Sequence, residues 1–130
     1  MRGVVFLLLV LLLALGAAGC GGSSSYTLEK TRTCLSDRGV SIGDVPRADI
    51  VGSSATGGSF AAGLGDNSVK IVFGETESDA EQIEGAYERF AFSNVKAGLA
   101  DVLRREKNAV MLWQKHPQDS DVSLVTGCLR

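Results

Sequence analysis

The chain has 130 residues, 45% of them hydrophobic and 22% charged, with a formal net charge of −2. That length builds one domain of ordinary size and is too short for two. The densest basic cluster, Arg104-Arg105 with Lys107, is interrupted by Glu106 and reads as a solvated turn, so the basic footprint of a nucleic-acid binder is missing.

Arg2 precedes an apolar run from Val4 to Leu15, and Ala17-Ala18-Gly19-Cys20 closes the segment. A basic start, an apolar stretch of roughly a dozen residues and small residues before a cut are the parts of an export signal. The run from Val4 to Ala18 is shorter than the about 20 residues of a membrane-spanning helix. Small residues let an extended backbone enter a peptidase cleft, and a cysteine at the first mature position offers a thiol for diacylglycerol. The leader resembles a bacterial lipoprotein signal with its lipobox, with Ala17 where leucine is usual. The resemblance covers the leader alone. It implies removal of residues 1–19, acylation of Cys20, membrane lipid as a partner, and a place on the outer face of the cytoplasmic membrane or on another envelope membrane. An ordinary secretory cut after Ala18 or Gly19 is the alternative, with Cys20 unmodified. Residues 20–25 then form an acylated cysteine with a Gly/Ser tether, and 26–130 a single domain. Arg2 leaves with the leader, so the remainder carries 12 basic residues against 15 acidic ones.

With Cys20 acylated, Cys34 and Cys128 remain, one near each end of the domain. Outside the cytoplasm such a pair is expected to form a disulfide. Closing a loop of nearly a hundred residues stabilises the fold by about 4–5 kcal/mol in the chain-entropy model. The alternative is a pair of buried thiols acting as small core residues.

Thr27 caps a predicted helix that runs to about Arg38, with Glu29 in its first turn and Gly39 as terminator. Val40 to Gly58, rich in glycine and small polar residues, reads as a loop with a short extended piece at Ile50-Val51, the most mobile part of the domain and a place for a binding surface. Ser59 to Leu64 and Val69 to Phe73 form a predicted hairpin around Asp66-Asn67, with Val69, Ile71 and Phe73 on one face. Ser78-Asp79-Ala80-Glu81 reads as a capping box for a second helix. Its apolar stripe is Ala80, Ile83, Tyr87 and Phe90, and Glu81, Glu84 and Glu88 take the other face. Val95 to Lys115 is ambiguous. Val95, Leu99, Val102 and Leu103 fit a helix, but Ala109 to Trp113 is a compact apolar run, which favours a second hairpin of Asp101–Arg105 with Ala109–Lys115. Pro117 opens a last helix with Asp119 and Asp121 in its first turn and Val122, Val125 and Leu129 on one stripe. The expected fold is α+β: a four-stranded antiparallel sheet of two hairpins with helices packed on one face, in helix-hairpin-helix-hairpin-helix order.

Chemical motifs are sparse. His116 is the only histidine, so a Ser-His-Asp or Cys-His scheme has no second imidazole to draw on. Cys34 and Cys128 are too isolated for a zinc cluster or a Cys-x-x-Cys dithiol. Gly63-Leu64-Gly65 lacks the third glycine of a dinucleotide loop, and Gly57-Gly58-Ser59 lacks the P-loop lysine. Glu81, Glu84 and Glu88 make a solvated helix face more readily than a cation site, and Phe60, Phe73 and Trp113 are core candidates. No catalytic residue, cofactor or metal is expected. The leading expectation is a lipid-anchored envelope protein that binds or scaffolds without catalysis, with another envelope protein or a cell-wall component as further partner and no nucleic acid. The alternative is a small envelope hydrolase using carboxylates such as Asp44, Asp49 and Glu75.

Overall fold

The computed structural model describes residues 25–130, so the leader and Cys20 lie outside the described residues. The elements in chain order are α1 (Leu28–Asp37), β1 (Ser41–Gly43), α2 (Ile50–Ser53), β2 (Ser59–Leu64), β3 (Asn67–Phe73), α3 (Glu77–Phe90), α4 (Ser93–Val102), β4 (Leu103–Glu106), β5 (Ala109–Trp113) and α5 (Asp119–Thr126). The strands form one antiparallel sheet in the order β1-β2-β3-β5-β4. The α+β class is as expected. The sheet has five strands rather than four, because Ser41–Gly43 pairs with Ala61–Gly63 as a short edge strand.

Both faces of the sheet are covered. On one face Phe60, Ala62 and Leu64 of β2, Val69, Ile71 and Phe73 of β3, and Met111 and Trp113 of β5 pack under the terminal helices with Leu35 and Val125. Phe60 and Phe73 stack there with ring centroids 6.2 Å apart. On the other face Val72, Val110 and Leu103 meet Ala80, Tyr87 and Leu99 of α3 and α4. This corrects the expectation of helices on one face only. The reason lies in β5, where Ala109 to Trp113 alternates between the two sides and every position is apolar. A strand that is apolar on both sides is stable only between two layers.

The first helix is capped by Thr27, whose Oγ1 accepts from Lys30 N at 3.4 Å. It stops at Gly39, whose φ of 79° suits glycine best. The cap of α3 is Thr76 rather than Ser78: Thr76 Oγ1 accepts from Asp79 N and Asp79 Oδ2 accepts from Thr76 N. The helix thus has a capping box, but between Thr76 and Asp79 and not between Ser78 and Glu81 as expected. The ambiguous stretch is both things in turn, because α4 runs straight into β4 at Leu103 without a glycine or proline between them. The β4–β5 turn falls at Lys107-Asn108, with Lys107 at φ 49°.

The segment from Val40 to Gly58 departs furthest from expectation. It holds β1 and the helical turn α2, so Ile50-Val51 is helical rather than extended. Val45 and Gly52 are buried. Gly57 N donates to Phe73 O at 2.9 Å, and Phe73 N donates to Gly58 O at 2.9 Å. A Cβ on Gly57 would lie 2.5 Å from that same Phe73 carbonyl oxygen, so the close approach requires glycine. The segment is held to the domain at Val45, Gly52 and Gly57-Gly58.

Cys34 and Cys128 form a disulfide, with Cα atoms 5.5 Å apart and a separation of 94 positions in sequence. It joins the two terminal helical segments beside the first core, where Cys128 is fully buried. Among the described residues no helix is long and apolar enough to cross a membrane.

Candidate functional site

Three arrangements gather polar or exposed side chains. The first is centred on Asp49, which precedes α2. Its carboxylate accepts from Gly52 N at 2.9 Å, from Lys70 Nζ at 2.7 Å and from the Tyr87 hydroxyl at 3.0 Å. One residue therefore caps α2 and ties it to β3 and to α3. Burial is the largest single influence on Asp49 and pushes its pKa up, but the Gly52 amide, Lys70 and Tyr87 together outweigh it and hold the carboxyl below its usual value. Burial, followed by the charge and hydrogen bond of Asp49, raises the pKa of Tyr87, so the phenol remains a neutral donor. With every carboxylate bond directed at a neighbour, Asp49 is a clamp, not a poised base.

The second arrangement fixes the start of the domain. The Tyr26 amide donates to Asn108 Oδ1 at 2.7 Å, and Asn108 Nδ2 donates to the carbonyls of Tyr26 and Gly74, both at 2.8 Å. Thr27 N donates to Arg130 O at 2.6 Å, and the Tyr26 hydroxyl donates to Glu106 at 2.9 Å. Ser25 Oγ reaches Glu75 O at 3.4 Å, beside the entry to α3. The described chain thus begins on a fixed anchor point at the β4–β5 turn.

The third arrangement is on the helical layer. A shallow hollow of about 330 Å³ lies between α2 and α3, with Ile50, Val51, Ala55, Ile83, Ala86 and Phe90 as its apolar lining. Phe90 is 69% exposed, which corrects its expected place in the core stripe; Ala80 and Tyr87 do reach the core. Ala91, the residue after Phe90, packs against the second core instead. A second hollow, about 250 Å³, lies between α3 and α4 and is lined by Glu84, Glu88, Lys96 and Leu99.

The remaining sequence candidates are dispersed. Asp44 and Glu75 are exposed; neither bonds Asp49 and neither lines a hollow. Glu81 and Glu84 meet Arg105 at 3.5 and 2.8 Å. His116 Nδ1 sits 2.6 Å from Asp101 on the surface. Phe60, Phe73 and Trp113 are core, and Trp113 Nε1 is buried without a hydrogen-bond partner. No group of three or more His, Cys, Asp or Glu residues suited to a metal ion occurs among the described residues. The Asp49–Lys70–Tyr87 clamp had only a faint sequence signal, the Asp49-x-x-Gly52 spacing of an N-cap; its partners are 21 and 38 residues away. Comparison with protein-family models, curated proteins and solved structures finds no match.

Proposed function

We propose that this chain is an exported, lipid-anchored envelope protein, held by an acylated Cys20, whose domain binds through a surface and does not catalyse. The observation that carries the reading is the Cys34–Cys128 disulfide. A cross-link between the terminal segments fits a protein that folds in an oxidising compartment, and it accounts for two of the three cysteines, leaving the one at the lipobox position for acylation. The fixed start at Tyr26 adds to this, since a rigid anchor point a few residues beyond Cys20 presents the domain in a defined orientation. The three donors held by the Asp49 carboxylate and the dispersal of Asp44 and Glu75 favour binding over acid–base chemistry. The apolar hollow between α2 and α3 is the surface of choice, because contiguous exposed apolar side chains mark contact sites.

The test is Cys20→Ser in the full chain. The unaltered protein should fractionate with membranes and require detergent for release. The variant should appear in the soluble envelope fraction, because at least two acyl chains are needed for stable anchoring. A variant that remains membrane-bound to the same extent would overturn the anchor.

A further inference from the structure

The large exposed apolar side chains among the described residues converge on one corner. Ile50 is 75% exposed, Phe90 69%, Phe92 79% and Val95 44%. Ile50 and Phe90 line the same hollow between α2 and α3, and Phe92 and Val95 follow Phe90 across the turn into α4. A patch of this kind marks an interaction surface.

Its charge pattern indicates the partner. The rim of the hollow carries Ser54, Thr56 and Gln82 and a single carboxylate, Asp79, which already accepts from Thr76 N. The other carboxylates of α3 lie elsewhere: Glu84 and Glu88 line the second hollow, and Glu81 and Glu84 meet Arg105. The hollow of this acidic chain thus carries one carboxylate, and Arg89 precedes Phe90 in the last turn of α3, while Lys96 and Glu88 lie on the second hollow. Exposed aromatics beside a long basic side chain suit the headgroup region of a bilayer, where rings enter and a cation stays with phosphate.

The anchor geometry agrees. The described chain starts at Ser25 against Glu75, at the N-terminal end of α3, and the aromatic turn is at the other end. Helix α3 has 14 residues and is about 21 Å long. The five steps from Cys20 to Ser25 reach at most about 17 Å. With Cys20 in the bilayer, this short reach holds the α3 end of the domain close to the surface, and Phe90 and Phe92 can touch the same surface with α3 inclined to it or lying along it.

We infer that the α2/α3 face with the Phe90–Phe92 turn is a second, non-covalent membrane contact that holds the domain against the lipid surface. The inference rests on the lipid-anchor reading for its geometry. The test uses the mature protein in vesicles of phosphatidylethanolamine with a minority of phosphatidylglycerol. Phe92→Trp reports on the turn, and Arg32→Trp, on the exposed side of α1 across the sheet, serves as control; Trp113 is buried and supplies a constant background. Emission from Trp at position 92 should shift to shorter wavelength and be quenched by brominated acyl chains, whereas the control should remain water-exposed. Unshifted, unquenched emission at 92, or equal quenching at both positions, overturns the contact. A concentration-dependent blue shift without vesicles would mean that a second copy covers the patch, which also overturns it. Intact mass of the same sample separates the two claims. If no acyl chain is found the anchor fails, and quenching on vesicles then supports the contact alone while its absence overturns it.

Discussion

Asp49→Ala should be the most damaging single substitution outside the two cores. It removes the cap of α2, about 1 kcal/mol. It leaves the largely buried Tyr87 hydroxyl without its acceptor, a penalty of about 1–3 kcal/mol. It also removes a Lys70 ion pair whose lysine side chain is 33% exposed, so that part contributes no more than about 1 kcal/mol. The three share one carboxylate and do not add cleanly, so the expected loss is about 2–4 kcal/mol, or a Tm lower by on the order of 10 °C for a domain of this size. Urea unfolding gives the free energy, and an unchanged slope shows that the denatured state is not altered. Adding Tyr87→Phe to Asp49→Ala should cost less than Tyr87→Phe alone, because the orphaned hydroxyl is already a liability. The pH dependence follows from the sign of the shift. The folded pKa of Asp49 is depressed, so its contribution is complete above the unfolded value of about 4 and is lost as the pH falls through the lower folded value. Asp49→Asn should flatten that part of the acid profile. A loss below about 0.5 kcal/mol for Asp49→Ala, the range of an ordinary surface change, or strict additivity with Tyr87→Phe, would refute the clamp.

Replacing Cys34 and Cys128 together by serine should lower stability by about 2–5 kcal/mol, measured by urea unfolding beside the disulfide-bonded parent protein. Gly57→Ala places a methyl against the Phe73 carbonyl and should destabilise by about 1–3 kcal/mol as an overpacking change, where a mobile loop would show none. Asn108→Ala removes three hydrogen bonds that hold Tyr26 and Gly74; hydrogen exchange should speed up at Tyr26 while the β3 amides remain slow.

Long periodic elements were legible in the sequence, and short ones held by distant partners were not. The hairpin of β2 and β3 follows from the alternation of Val69, Ile71 and Phe73 around Asp66-Asn67, and the register pairs Leu64 with Asn67 across that turn. The helix from Glu77 to Phe90 follows from its stripe, although its capping pair is Thr76 with Asp79 and not Ser78 with Glu81. By contrast Ser41-Ile42-Gly43 has one apolar residue and becomes a strand through its pairing with β2. The four residues of α2 carry little helical signal, and their helicity depends on the Asp49 cap and its long-range partners. The second helical layer was readable in principle, since Val72, Val110 and Leu112 are apolar at the positions that alternate away from Phe73, Met111 and Trp113. Phe90 shows the limit of periodicity: a stripe predicts which side chains share a helix face, not which of them the core covers. The cysteine parity that predicted the Cys34–Cys128 pair was the strongest long-range signal, because it depends on counting and compartment rather than on local pattern.

The central claim, an acylated Cys20 carrying a disulfide-closed domain, is tested most directly by intact mass of the membrane-extracted protein, alkylated without reduction. The expected result is a chain that begins at Cys20, bears a diacylglyceryl group with or without a further acyl chain, and has no alkylated thiol until it is reduced. An unmodified N-terminus at another residue, or two alkylated thiols in the unreduced folded protein, would contradict it.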